Sequence, residues 1–408
     1  MNSVHKECHK GKRPPFYLGS IRGTMMNRKT KIIYLTETPF NQRDYRRYGI
    51  DVFINDGFVV HVWDFSPFLF KGWKAPPDPT DYKNWVAFDS VADAVAALRK
   101  VPKEAFVISL LRYDRDTRKI FRTMSKQKID YSIRVDAYPS LEKTAKTIIR
   151  KLTRMSPKMI IYHVRNLTFR FFRQMYRRES PTFLFLSAAK SSVDPKRLNH
   201  QTKIIRAHAW DYDIYLEKKV KEENGENTIV FMDNYLPFHP HLLYLNLVWA
   251  KAEVYYPSLC RLFDYVEQKL DSTVVIAAHP RSHYEDHPDF FQGRKVVRGQ
   301  SATLVKNAKL VILHGSASAF FPVLFRKPML FITMDGILKT NFAADIRAFT
   351  TLFGKRPLNI SKELHINLKD ELVVDEAKYA QFQNDFIKAE GSEELPYWQI
   401  VKNCIKSL

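Results

Sequence analysis

Glycine is scarce in this chain: 13 of 408 residues, about 3% against a usual ~7%. No G-x-G-x-x-G and no G-x-x-x-x-G-K-[ST] can be drawn from those glycines, which argues against a glycine-cradled dinucleotide site and a P-loop. Cysteine is scarcer still. Cys8, Cys260 and Cys404 supply neither a disulfide framework nor a four-thiolate zinc site, and there is no H-E-x-x-H. The expectation is a reduced, intracellular protein. No apolar run approaches the ~18 residues that span a bilayer. The first 30 residues are polar and basic without the apolar core of a secretory signal, and read as a flexible basic extension.

What is present is an ordinary globular composition, 45% apolar and 26% charged, long enough for two or three cores. Lys and Arg number 65 against 43 Asp and Glu, a formal charge of +22. Short apolar runs alternate with helical stretches. Residues 31–36, 57–63, 105–111, 129–135, 183–187 and 203–207 read as strands, with a helical stretch over 41–55 and a helix capped by Ser90 over 91–99. The polar stretch 217–227 interrupts. Strands resume at 228–232, 273–278, 295–297, 310–313 and 329–332, with a helix over 256–270. Apolar strands alternating with helices predict parallel sheets. The domains read as 31–216 and 228–390, with 391–408 a helix packing back on the first.

In open α/β folds ligands sit at the carboxyl ends of strands. Three strand ends carry chemistry. One strand runs into Asp233 and reaches His239; another ends in His279-Pro280-Arg281; a third ends in His314-Gly315, followed by Ser316, Ser318 and an apolar helix. A histidine, an arginine and hydroxyls at a helix N-terminus suit a phosphate.

The His279-Pro280 step resembles the His-Pro motif of bacterial sialyltransferases and related GT-B glycosyltransferases. Ser316 and Ser318 resemble their serine motif, which holds the donor phosphate. Residues 228–335, including Lys327-Pro328, are similar to bacterial surface-polysaccharide glycosyltransferases of this fold. Ala317 separates two serines that are adjacent in the sialyltransferase motif, and that family's paired acidic motif is missing. The resemblance implies α/β GT-B architecture: two Rossmann-like parallel-sheet domains facing across a cleft. It implies an inverting transfer from a nucleotide-activated sugar, with the His-Pro step pointing to a CMP-linked acidic sugar. The implied acceptor is a lipid-linked or surface glycan of lipopolysaccharide or capsule type. The donor-binding set is then Asp233, His239, His279, Pro280, Arg281, His314, Gly315, Ser316 and Ser318. The nucleotide-sugar is a substrate, and no cofactor is expected.

An inverting enzyme needs a base from the opposite half. Asp44, flanked by Arg43, Arg46 and Arg47, is the first candidate, with the arginines placed to fix an acidic acceptor; Glu37 is a reserve. His208 and Asp211 form a second, as base and orienter. Asp211-Tyr-Asp213 and Asp114-Arg-Asp116 are D-x-D strings of the kind that hold a metal in GT-A enzymes, but twin α/β halves favour the metal-independent class.

From Lys143 to Arg178 there are 11 basic residues and no acid. Apolar Ile160, Val164, Leu167, Phe171 and Met175 run beside a stripe bearing Arg170, Arg173 and Arg177, with Arg165 nearby. Such a basic amphipathic helix either faces the core or docks on an anionic membrane, which would place the protein at the inner face of the plasma membrane. A nucleotide-sugar epimerase of the same fold, or a nucleic-acid-binding protein, are the competing readings; no zinc, KH or RRM signature supports the latter.

Overall fold

The computed structural model describes residues 29–70, 80–140, 160–161, 164, 181–193, 198, 200–219, 227–239, 242 and 247–408. The extension to residue 28, linker residues 220–226, and Arg165, Arg170, Arg173 and Arg177 lie outside them. Ile160, Ile161 and Val164 are helical and exposed, so the start of the basic segment's apolar stripe does not face a core.

The apolar runs become strands, buried on both faces at the sheet centres and largely exposed at the edges, as in Lys203–Arg206 and Val296–Arg298. In the first domain seven strands pair in the order β3-β2-β1-β4-β5-β6-β7. They are β1 (Lys31–Thr36), β2 (Val59–Asp64), β3 (Trp85–Ala87), β4 (Ala105–Ser109), β5 (Tyr131–Val135), β6 (Phe183–Leu186) and β7 (Lys203–Arg206), and all pairs are parallel. Along β1, Ile32 and Tyr34 enter one core layer while Ile33 and Leu35 enter the other. That is the period-2 alternation of a strand with both faces covered.

The second domain repeats the plan with six strands in the order β10-β9-β8-β11-β12-β13. These are β8 (Thr228–Met232), β9 (Thr273–Ala278), β10 (Val296–Arg298), β11 (Ala308–Leu313), β12 (Met329–Thr333) and β13 (Leu358–Asn359). Ile229 and Phe231 of β8, with Leu310 and Ile312 of β11, pack under the long helix Ala252–Leu270; Val230, Met232, Val311 and Leu313 face the other layer. Both sheets have Rossmann order, each reversing direction beside its first strand: between β1 and β4, and between β8 and β11. This is the two-domain GT-B architecture that the sequence led to expect. No helix of the described residues is long and apolar enough to cross a membrane.

Two connections tie the halves together. The helix Trp210–Lys218 leaves the first sheet but packs on the second domain, where Tyr212 joins the core and the Tyr215 ring lies 5.2 Å from that of Phe325. In the other direction the helix Tyr397–Lys406 returns to the first domain. Its Tyr397, Trp398, Ile400, Val401 and Ile405 fill the layer containing Ile32 and Tyr34. Trp398 Nε1 donates to the Arg47 carbonyl at 2.7 Å.

Trp398 also explains a departure from the sequence reading. Residues 41–55 form two short helices, Gln42–Arg47 and Ile50–Ile54, rather than one. The break is at Gly49, whose φ is +58°, and a Cβ there would lie 2.4 Å from two Trp398 ring carbons. Further elements were not anticipated, among them the short edge strands β3 and β13 and the helices Arg118–Lys126 and Phe342–Leu352.

Candidate active site

The three strand ends singled out in the second domain meet at the switch point of its sheet. Asp233 follows β8 and is buried. Its carboxylate accepts from the Tyr235 N–H at 2.7 Å, the His279 N–H at 3.2 Å and the Tyr284 hydroxyl at 2.9 Å. Burial lifts its pKa to about 6, against those three hydrogen bonds. Asp233 was expected among the ligand-binding residues. It instead fixes the end of β9 against the end of β8, because all its local donors already use it. Asp233→Ala is expected to cost about 3 kcal/mol by leaving three buried donors unpaired, measurable as a lower urea midpoint at unchanged m.

His279 sits where β9 ends, half-buried. Its Nδ1 accepts from the Arg281 N–H at 3.1 Å, which leaves the proton on Nε2. Its ring lies 5.0 Å from that of His239. Burial, then His239, Arg281 and Arg43, push its pKa down to about 3. His279 is therefore a neutral N–H donor in the free protein, and the positive charge beside it comes from Arg281. Pro280 is exposed and shapes the turn.

The third strand end divides in two. His314 is fully buried: Nε2 pairs with the Tyr255 hydroxyl at 2.8 Å and Nδ1 with the Ile332 carbonyl at 3.1 Å. Burial holds its pKa near 4. Its placement among donor-binding residues is corrected, because a ring with both nitrogens used and no exposed surface cannot meet a ligand. It ties β11 to β12 and the long helix. Gly315 has φ +122°, and a Cβ there would press on the Ile346 backbone at 3.2 Å. That turn delivers Ser316 and Ser318. Ser316 Oγ accepts from the Ser318 N–H at 3.2 Å and lies 2.6 Å from Ser318 Oγ. Asn234 Nδ2 donates to Ser316 Oγ at 3.3 Å, and the buried Asn234 Oδ1 has no hydrogen-bond partner among the described residues. Sequence reasoning passed over Asn234. Its position directly after Asp233, at the switch strand, was the available signal.

The first domain presents Asp44 to this cluster. Asn41 Oδ1 caps its helix by accepting from the Asp44 N–H at 3.0 Å. Asp44 is only 6% exposed, and burial raises its carboxyl pKa. Arg43, Arg47 and Arg281 oppose that rise, and Asp64 adds to it. Arg281 belongs to the other domain, and Arg43 in turn acts on His279, so the two sides meet across the cleft. Arg46 is exposed on the same helix. Glu37, the reserve base, is held by Arg112 through Nε at 2.9 Å and through the backbone N–H at 3.0 Å.

The second base candidate comes apart. His208 is fully buried, with Nδ1 3.0 Å from the Ala209 carbonyl and Nε2 2.8 Å from the Leu395 carbonyl. Its acidic neighbour is Asp213, at 3.6 Å, rather than Asp211. His208 is thus corrected from base to fastener of the returning C-terminal segment, and Asp213 Oδ1 assists by accepting from the Tyr397 N–H at 2.8 Å. Asp211 points elsewhere, toward Arg47 and Arg134, which counter the burial that raises its pKa.

The D-x-D strings hold no paired carboxylates for a metal. Asp114 Oδ1 accepts from the Asp116 and Thr117 N–H groups, and Asp213 is occupied with Tyr397. Among the described residues no group of three or more His, Cys, Asp or Glu could hold a metal ion.

No protein-family model matches the chain, and no curated protein matches it by sequence. Solved structures do match in fold. A UDP-GlcNAc 2-epimerase from Methanocaldococcus jannaschii is 12% identical over 92% of this chain and 98% of its own, with a TM-score of 0.45. MurG of Acinetobacter baumannii is 9% identical over 93% and 100%, with a TM-score of 0.46. The wall teichoic acid polymerase TagF is 13% identical over 93% and 90%, also at 0.46. Each is a likeness in fold, and the two-Rossmann architecture stands on the two sheets themselves.

Proposed function

We propose that the protein is an inverting, metal-independent glycosyltransferase acting from a nucleotide-activated sugar onto a glycan acceptor. One observation carries this reading: a buried carboxyl on the first domain, Asp44, lies within electrostatic reach of Arg281 on a strand end of the second. A base and a phosphate-binding cation face each other across a cleft, as glycosyl transfer requires. Arg281, the His279 Nε2–H and the Ser316 and Ser318 hydroxyls stabilise the phosphate charge that grows as the leaving group departs. Asp44 takes the proton of the attacking hydroxyl. The His-Pro step keeps a CMP-linked acidic sugar as the first donor to test, and a lipopolysaccharide- or capsule-type glycan as the first acceptor. The acid-free stretch 143–178 supports a working position at the cytoplasmic face of the membrane.

The test is a thermal-shift panel of CMP, UDP, GDP and dTDP. A rise in melting temperature with one nucleotide, lost in His279→Ala and Ser316→Ala, names the donor class. No rise with any of the four removes the glycosyltransferase reading. Incubating the matching nucleotide-sugar without acceptor then separates transfer from epimerisation, since only an epimerase changes the sugar's configuration there.

A further inference from the structure

The loop that leaves β5 crosses to the second domain. Ala137 packs into that domain's core, and its N–H donates to Ser187 Oγ at 3.1 Å. The turn after β6 is fastened to the same domain: the Ala189 and Lys190 N–H groups donate to the Asn384 and Asp385 carbonyls at 2.9 and 3.1 Å. Ala137 is therefore held from both sides, and the next side chain, Tyr138, starts from a fixed point.

Tyr138 reaches the helix Phe342–Leu352. Its ring meets that of Phe349 edge-on, with centroids 5.3 Å apart and planes at 75°. Its hydroxyl end lies within electrostatic reach of Asp345, one turn earlier on that helix. The same helix backs the Gly315 turn: a Cβ on Gly315 would lie 3.2 Å from the Ile346 Cα and 3.5 Å from the Phe349 Cβ. Phe349 thus meets Tyr138 on one side and underlies the turn that presents Ser316 on the other. A first-domain aromatic is thereby placed beside the phosphate-binding turn of the second domain.

Tyr138 is nevertheless 47% exposed. A ring that only braced the two domains would be covered, as Phe349 is. An edge-to-face pair uses at most one face of either ring, so Tyr138 keeps open apolar surface with a polar tip. The C–H face of a pyranose fits such a surface, while its hydroxyls stay within reach of a phenol that both donates and accepts. We propose that Tyr138 is the platform for the transferred sugar, its ring packing against the pyranose of the nucleotide-sugar while Ser316 and Ser318 hold the phosphate. The proposal rests on the glycosyltransferase reading. Its consequence is a division of recognition: the second domain selects the nucleotide, and the loop after β5 in the first domain selects the sugar.

Calorimetric titration of the full chain with CMP, UDP, GDP and dTDP, each beside its sugar form (CMP-N-acetylneuraminate, UDP-N-acetylglucosamine, GDP-mannose and dTDP-glucose), tests this. For the pair that binds, Tyr138→Ala should weaken the nucleotide-sugar about fivefold or more and leave the bare nucleotide within about twofold. Tyr138→Phe keeps the ring and should restore most of the sugar affinity. Tyr138→Leu, which fills the contact with Phe349 without a flat face, should not. Equal loss for nucleotide and nucleotide-sugar overturns the proposal, since loosened domain packing would give that result; rescue by leucine as complete as by phenylalanine overturns it too. Binding of none of the nucleotides removes the glycosyltransferase reading and the platform with it. Intact nucleotide binding with an unchanged sugar preference in Tyr138→Ala removes the platform alone.

Discussion

Asp44→Asn is expected to lower kcat by about a hundred- to ten-thousand-fold while leaving nucleotide binding and the melting temperature nearly unchanged. The amide has the same shape, and the helix cap from Asn41 goes to the Asp44 backbone rather than its side chain. What is lost, on the proposed function, is the base. The pH dependence follows from the environment. Burial raises the Asp44 pKa above the ordinary aspartate value, and the arginines only partly oppose it. A base must be ionised to work, so the rate should fall as pH drops through that raised value. The acid limb of the kcat profile should therefore lie above the range of an exposed aspartate, and Asp44→Asn should remove that limb along with the activity. A variant that keeps more than a tenth of wild-type kcat would move the base elsewhere, with Glu37 the next residue to replace.

Gly49→Ala is expected to be the most destabilising single-methyl change in the first domain. The left-handed backbone conformation alone costs about 1–2 kcal/mol for an L-residue. The new Cβ would also lie 2.4 Å from two Trp398 ring carbons and 2.7 Å from its Cβ, a contact that no rotamer adjustment at Gly49 relieves. Forcing the indole aside adds about 1–3 kcal/mol and breaks its hydrogen bond to Arg47. The sum is about 2–5 kcal/mol, read as a fall in urea midpoint. A double-mutant cycle separates the parts: in a Trp398→Leu background the same Gly49→Ala change should cost only the backbone part.

The sheets were legible because parallel strands buried on both faces appear as unbroken apolar runs bounded by polar residues. β3 was not, because its strand residues, Trp85–Ala87, are apolar but only three, fewer than the four to eight that mark a strand. The break at Gly49 was also out of reach: its cause is a tryptophan about 350 residues away. Histidines at strand ends looked alike in the sequence, yet His279 borders the cleft while His314 and His208 are sealed inside. Which way a strand-end side chain turns depends on the neighbouring elements: Tyr255 and Ile332 claim His314, and Leu395 claims His208.

The returning C-terminal helix has a consequence for the order in which the protein is made. Synthesis delivers the first domain's seven strands early, and domains generally begin to fold as they emerge. Here the layer over Ile32 and Tyr34 is completed by Tyr397, Trp398, Ile400, Val401 and Ile405. The first domain therefore waits with that apolar face uncovered while the whole second domain is translated. That last layer of the first domain can therefore close only after residues 397–405 have been made.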